Sequence, residues 1–228
     1  MSVAERLAAV EEAVEAARAR SHHRQAVTLV GVSKKQPLSK LLEARAAGLR
    51  DFGENYAQEM REKADAIADD PAVRWHYIGP LQSNKVKLVA GVHLVHTIDR
   101  VKLLDKLEAR AIAQDVLIEV NIAAEPQKAG IAPAMLPALL DRFADLDHVR
   151  CRGLMLIPPA GNPEATRTHF SSLRELRDRH AATARPGVEL NELSMGMSSD
   201  FEVAIEEGAT LVRVGTAIFG PRGVVGSG

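Results

Sequence analysis

The chain opens with apolar residues at Val3, Leu7, Val10, Val14 and Ala17, steps of three and four that predict an amphipathic helix over residues 3–20. From residue 26 onward, short β-branched or apolar runs alternate with helical periodicity. The runs predict eight strands: Ala26–Ser33, Leu49–Gly53, Val73–Gly79, Val92–Ile98, Val116–Ile122, Val149–Ile157, Glu189–Met195 and Thr210–Val214. Between them, helices are predicted over Leu38–Ala47, Tyr56–Ala68, Asn84–Ala90, Val101–Gln114, Pro133–Ala144, Pro163–Ala184 and Asp200–Glu207. Pro133 and Pro163 suit the first turn of a helix, and Gly48 and Gly208 suit C-terminal caps. Strands alternating with helices need crossover connections, which means a parallel sheet. Eight is the number that closes a barrel. The expected fold class is therefore α/β, a single (β/α)8 TIM barrel with an extra N-terminal helix; an open doubly wound sheet is the competing arrangement. With no long linker and no low-complexity block, residues 1–228 read as one domain ending in a loose Gly-rich tail over 221–228.

Composition narrows the class. Lys+Arg is 29 and Asp+Glu is 30 in 228 residues, a net charge of -1. That balance argues against a nucleic-acid binder, which shows a basic stripe, and against a polybasic membrane-surface protein. The single Cys151 excludes an internal disulfide framework and a multi-cysteine zinc site. No run approaches the ~18 apolar residues of a membrane span. The N-terminal 20 residues mix Glu and Arg with Ala, unlike a secretory signal. A cytoplasmic location is expected.

In a barrel of this kind the active site lies at the C-terminal ends of the strands. There the sequence carries Ser33-Lys34-Lys35, Gly53-Glu54-Asn55, the stretch 79–84, Glu119, Asn121, the turn 194–199, and Gly215-Thr216. Loops after strands seven and eight form the usual phosphate site of the fold. Ser198 and Thr216 lie in them, and hydroxyls beside a helix N-terminus favour an anion. The plainer reading is two ordinary turns with helix-capping serines. Lys34 ends an apolar strand in phase with Val30 and Val32; a partly desolvated lysine there can form a Schiff base, whereas the plainer reading is a solvated turn residue. Arg213 interrupts the apolar strand LVRV and needs a partner; strand period alone does not say whether it faces the helices or the interior. Lysine and phosphate loop in one mouth point to pyridoxal phosphate or a phosphorylated carbonyl substrate. The pair His93-x-x-His96 lies on a strand, where this spacing puts the rings on opposite faces and argues against a metal pair. Cys151, Trp75 and Tyr77 read as packing residues, and His22-His23 as solvated.

The stretches VGVSKKQP, FGENYAQE, WHYIGPLQSNK, RGLMLIP and LSMGMSSDFEVAIEEGATLVRVGTAIFG resemble the pyridoxal phosphate homeostasis proteins, also called the alanine racemase N-terminal-domain-like family. The likeness runs in order from about Leu29 to Gly220. It implies a fold type III barrel that carries pyridoxal 5'-phosphate on a lysine, has no established turnover, and serves vitamin B6 and amino-acid homeostasis. Carried over by motif, the lysine is Lys34, the asparagine of GEN is Asn55, the phosphate-loop serine is Ser198, the pyridine partner is Arg213, and Gly215 and Thr216 are further phosphate contacts. No catalytic residue and no metal ligand is assigned. One departure stands out: Ala124 occupies the place of a serine the family often has, which puts any role of that hydroxyl in doubt, while Glu125, Lys128 and Gly130 are kept.

An arginine at the ring nitrogen donates a hydrogen bond and leaves the ring a weak electron sink. The chain also ends soon after the eighth strand, without room for the β-domain that completes racemase and decarboxylase sites. The leading expectation is a non-catalytic carrier and regulator, a monomer, whose partners beside the cofactor are amino acids and pyridoxal-phosphate-dependent apoenzymes. The alternatives are a small pyridoxal-phosphate-dependent racemase or lyase and a cofactor-free Schiff-base aldolase-type barrel.

Overall fold

The computed structural model describes residues 1–67, 70–159 and 161–221. The expected helix end at Ala68 and all of the expected tail except Pro221 lie outside them. Eight parallel strands close into a barrel in chain order: β1 (Thr28–Val32), β2 (Asp51–Glu54), β3 (Arg74–Tyr77), β4 (Leu94–Ile98), β5 (Gln114–Glu119), β6 (Val149–Met155), β7 (Val188–Met197) and β8 (Leu211–Val214). The seam is the pairing of β1 with β8, from Thr28 opposite Leu211 to Gly31 opposite Val214. The open doubly wound alternative is thereby excluded.

The helices are α1 (Val3–Arg20), α2 (Leu38–Ala46), α3 (Ala57–Ala66), α4 (Val86–Val89), α5 (Val101–Glu108), α6 (Leu136–Asp141), α7 (Pro163–Ala181), α8 (Phe201–Glu206) and α9 (Thr216–Phe219). α6 is flanked by 3-10 turns at Pro133–Met135 and Arg142–Asp145, so the helix expected over 133–144 is present in three pieces. α5 ends at Glu108, six residues before the expected Gln114. Gln114 already belongs to β5, where its side chain accepts from Gly91 N–H and donates to the Val92 carbonyl.

α1 starts at a capping box: the Ser2 hydroxyl accepts from Glu5 N–H, and the Glu5 carboxylate accepts from Ser2 N–H. Its stripe of Val3, Leu7, Val10, Val14 and Ala17 is buried against α2, α8 and α9. Arg20 adds ion pairs to Glu202 and Glu206 of α8. α9, which the sequence pattern does not predict, is a single turn with Ile218 and Phe219 buried. It is too short to cover the seam, and α1 fills the place a full eighth helix would take. No helix among the described residues is long and apolar enough to cross a membrane.

Most of the core lies between sheet and helices. The apolar cluster inside the barrel is small: Val30, Leu94, Leu117, Met155 and Leu211. The remaining interior is polar, with His76, His96 and Ser194 fully buried and Arg213 and Asp51 nearly so. Register shifts interrupt the pairs β4–β5, β5–β6, β6–β7 and β7–β8. Such bulges re-aim side chains. Between β7 and β8 the step from Ser194 to Met197 matches that from Leu211 to Arg213, so β7 carries one extra residue beside the mouth.

Candidate functional site

A cavity of about 350 Å³ opens at the C-terminal mouth of the barrel. Lys34, Asn55, Ser198, Arg213, Gly215 and Thr216 all line it, with Val32, Ile78, Ile157 and Met197 as apolar wall. The six residues singled out from the sequence thus come together from four different strand ends.

Lys34 is half-buried in the turn after β1. A buried cluster shapes that turn. Lys63 Nζ of α3 donates to the Ser33 carbonyl at 2.7 Å, to Glu54 Oε1 at 2.6 Å and to Glu59 Oε1 at 2.7 Å. Ser33 Oγ donates to Glu54 Oε1, and Lys35 N–H donates to Glu59 Oε1. Lys35 is held at φ 57, a left-handed conformation that a non-glycine residue adopts only when its surroundings hold it there. Burial pushes the Glu54 carboxyl above its ordinary range, and the Lys63 ammonium opposes that shift. Glu54 and Glu59 lie in the stretch FGENYAQE without an assigned role, and Lys63 lies outside every quoted motif; their joint task is found only by asking what holds a strand-end lysine.

Asn55 follows β2. Its side-chain oxygen is buried with no hydrogen-bond partner, which is rare for a native polar atom and marks a place for a ligand. Gly79 makes room for this turn: a Cβ there would lie 2.0 Å from the Asn55 carbonyl oxygen. On the opposite wall, Gly215 N–H donates to Ser198 Oγ at 3.1 Å, tying the turn after β7 to the end of β8. Met197 N–H donates to Asp200 Oδ1, which sets the same turn. Thr216 opens α9, and the first N–H groups of a helix have no acceptor within it.

Arg213 points into the barrel. Nη1 donates to Ser194 Oγ at 2.6 Å and Nη2 to the Leu156 carbonyl at 2.9 Å. Burial lowers its pKa to about 10, against the pull of Glu119 and Asp200, so the guanidinium stays charged at neutral pH. Glu119, at the end of β5, lines an adjoining cavity with Thr97 and Lys128. Burial, with Asp99 nearby, pushes its carboxyl up to about 7. Asn121 does not reach these cavities as described. Its amide folds the following loop, donating to the Glu125 carbonyl and accepting from Glu125 N–H. Ala124 sits in that loop at φ 52.

Sequence reasoning missed the polar interior. His96 Nε2 lies 3.0 Å from His76 Nδ1, and His76 Nε2 lies 2.9 Å from Asp51 Oδ1. The available signal was a histidine in the middle of each of two neighbouring buried strands, because a buried ring nitrogen needs a partner. His93 is exposed, with its ring against that of His76, and its donor atom lies within 4.8 Å of those of His76 and Asp51. Both ring nitrogens of His76 and both oxygens of Asp51 are already hydrogen-bonded, so Asp51 and His76 belong to the interior network and His93 packs against it from outside. Cys151 is fully buried and its thiol is pushed up to about 12 by burial, a packing residue. Trp75 leans on Phe52, and Tyr77 donates to the Pro80 carbonyl.

A closed (β/α)8 barrel whose mouth gathers a lysine, an arginine and two hydroxyl-bearing turns defines a small-ligand-binding barrel. Comparison with known proteins sharpens this. The family described as "Alanine racemase, N-terminal domain" matches residues 6–223. The chain is 45% identical to the pyridoxal phosphate homeostasis protein of Aquifex aeolicus, covering 97% of this chain and 99% of that one. It is 44% identical to that of Pseudomonas aeruginosa, covering 97% and 96%. Among solved structures, PipY of Synechococcus elongatus with pyridoxal phosphate bound superposes with a TM-score of 0.84 at 36% identity, covering 96% of this chain and all of that one. The chain belongs to the alanine racemase N-terminal-domain family and, within it, to the pyridoxal phosphate homeostasis proteins.

Proposed function

We propose that the protein binds pyridoxal 5'-phosphate in the mouth cavity and acts as a non-catalytic carrier and regulator in vitamin B6 and amino-acid homeostasis. The observation that carries this reading is the convergence of Lys34, Asn55, Ser198, Arg213, Gly215 and Thr216 on one cavity. The donor set fits the group: a lysine amine for its aldehyde, hydroxyls and helix-opening N–H groups for its phosphate, and the unpartnered Asn55 oxygen in the same wall. When bound, the cofactor supplies a reactive aldehyde and a conjugated ring. Lys34 contributes the amine, Ser198 and Thr216 hold the anion, and Arg213 donates to the ring nitrogen. Because Arg213 is already protonated at neutral pH, it keeps that nitrogen free of a proton and weakens the ring as an electron sink. A monomer is the state this reading expects. Amino acids and apoenzymes that need the cofactor are the partners this reading names.

Borohydride reduction of the loaded protein followed by peptide mapping should place a phosphopyridoxyl group on Lys34. A group found only on Lys35 or Lys85 would overturn the assignment.

One observation favours a second reading, a small pyridoxal-phosphate-dependent racemase or lyase. Glu119, with its pKa about 7, is poised to exchange a proton beside the cavity. The two readings part in deuterated water with L-alanine or L-serine. A carrier leaves the amino-acid α-proton in place by NMR. Exchange on the order of 1 per second or faster establishes the enzyme.

A further inference from the structure

Arg213 is the first member of a buried chain that crosses the barrel. Its Nη1 donates to Ser194 Oγ at 2.6 Å, and Ser194 Oγ lies 2.8 Å from His96 Nδ1. His96 Nε2 lies 3.0 Å from His76 Nδ1, and His76 Nε2 lies 2.9 Å from Asp51 Oδ1. Asp51, at the start of β2, closes the chain with a two-pronged ion pair to Arg74, at 2.7 and 2.6 Å. Five strands contribute. Ser194, His96 and His76 are fully buried.

The protons in this chain can be assigned by elimination. Arginine only donates, so Ser194 Oγ accepts from it. Burial raises the Asp51 carboxyl, but hydrogen bonds from His76 and Arg74 outweigh that and bring it down to about 2. Asp51 therefore accepts, and His76 donates from Nε2. Burial, with His76 and Arg213 nearby, holds His96 well below its ordinary value and keeps it neutral. Ser194 is fully buried between Arg213 and His96 and already accepts from Arg213, so its hydroxyl proton goes to a bare His96 Nδ1; the neutral His96 then carries its proton on Nε2 and donates to His76 Nδ1. Every gap holds one proton.

All the dipoles thus run one way, from Arg213 to Asp51. This matters because the contacts of Arg213 in the interior are a hydroxyl and a carbonyl, not a carboxylate. A buried guanidinium needs compensation, and aligned, mutually polarising hydrogen bonds provide it. They also fix two of its five N–H groups inward.

We propose that Ser194, His96 and His76 are positioning residues that hold Arg213 as a dedicated donor toward the cofactor ring, with the Asp51–Arg74 pair at the far end of the barrel setting their polarity. The role toward the ring rests on the function proposed above; the chain itself does not.

The test has a cofactor-free arm and a loaded arm. In cofactor-free protein, nitrogen-15 NMR should show His96 with a protonated Nε2 and a bare Nδ1, and a slowly exchanging Arg213 side chain. Asp51→Asn keeps an acceptor and removes the charge, and it should shift the Arg213 N–H resonances. A protonated Nδ1 on His96, or Arg213 resonances unmoved in a folded Asp51→Asn protein, would overturn the chain. In loaded protein, Ser194→Ala should release pyridoxal phosphate about tenfold faster, and Ser194→Thr should bring the rate back to within about twofold by restoring the hydroxyl. Release unchanged in a folded Ser194→Ala variant would overturn the positioning role. Failure of the wild-type protein to take up the cofactor would instead defeat the proposed function, while the NMR arm still decides the chain.

Discussion

Lys34 owes its place to side chains that never reach the cavity. Lys63 gathers the Ser33 carbonyl, Glu54 and Glu59 around one ammonium, and Glu59 in turn holds Lys35 N–H. A strand-end lysine is legible in a sequence because it interrupts an apolar run. Its supports are not, because they lie 20 to 30 residues away on another strand and helix. The same holds for His96 and Ser194, which meet across 98 residues. Arg213 shows the boundary between the two cases. Its presence in LVRV announces a buried charge, but only the barrel's closure decides that it faces inward. At this scale Glu119 offers a measurable consequence. Its folded-state pKa of about 7 lies above the ordinary 4.5. Below pH 4.5 the carboxyl is protonated in both states and costs nothing. As pH rises toward 7 the unfolded chain loses its proton first, so stability falls, and above 7 the loss is constant. Glu119→Gln should abolish that slope and raise stability above pH 7, by on the order of 3 kcal/mol. Thermal melts of both proteins between pH 4.5 and 8 check it; parallel curves would refute it.

Elements were the most legible level, and their ends the least. All eight strands lie where β-branched or apolar runs predicted them, because buried parallel strands have a strong apolar signature. β7 runs on to Met197, two residues past its expected end. Gly196 reads as a turn residue, yet here its φ of 90 lets the strand bulge beside β8 while still paired. α9 is one turn long and directly follows β8, so it adds no separate period; α4, equally short, is expected from the longer stretch Asn84–Ala90 between two strands. Gly79 is where element geometry and cavity meet. It lets the chain leaving β3 pass close to the Asn55 backbone, and an added methyl would strike the Asn55 carbonyl oxygen at 2.0 Å. Gly79→Ala should displace Asn55 and weaken uptake of pyridoxal phosphate at least tenfold, more than it lowers the melting temperature in proportion. Fluorescence or absorbance titration against a melting curve separates the two effects; intact affinity would show that Asn55 does not need this close approach.

For the whole molecule the decisive element is α1. It seals the β1–β8 seam together with α9, in the seat of a full eighth helix. The sequence pattern shows the helix and its apolar stripe but not the surface it covers. Leu7 is 1% exposed in that interface. Leu7→Ala should cost roughly 3 kcal/mol and lower Tm by roughly 6–12 °C. Chemical denaturation gives the first value and calorimetry the second, and a loss under about 1 kcal/mol would mean that α1 does not seal the barrel.

The seat of α1 also has a consequence for how the protein is made. α1 is bound by Arg20 to Glu202, 182 residues later in the chain. Its apolar stripe has no finished surface to cover until β8 and α9 have been synthesised. The contacts of α1 with α8 and α9 therefore form late in translation, and their large sequence separation slows final closure. Until then the apolar stripe of α1 is uncovered and open to a chaperone.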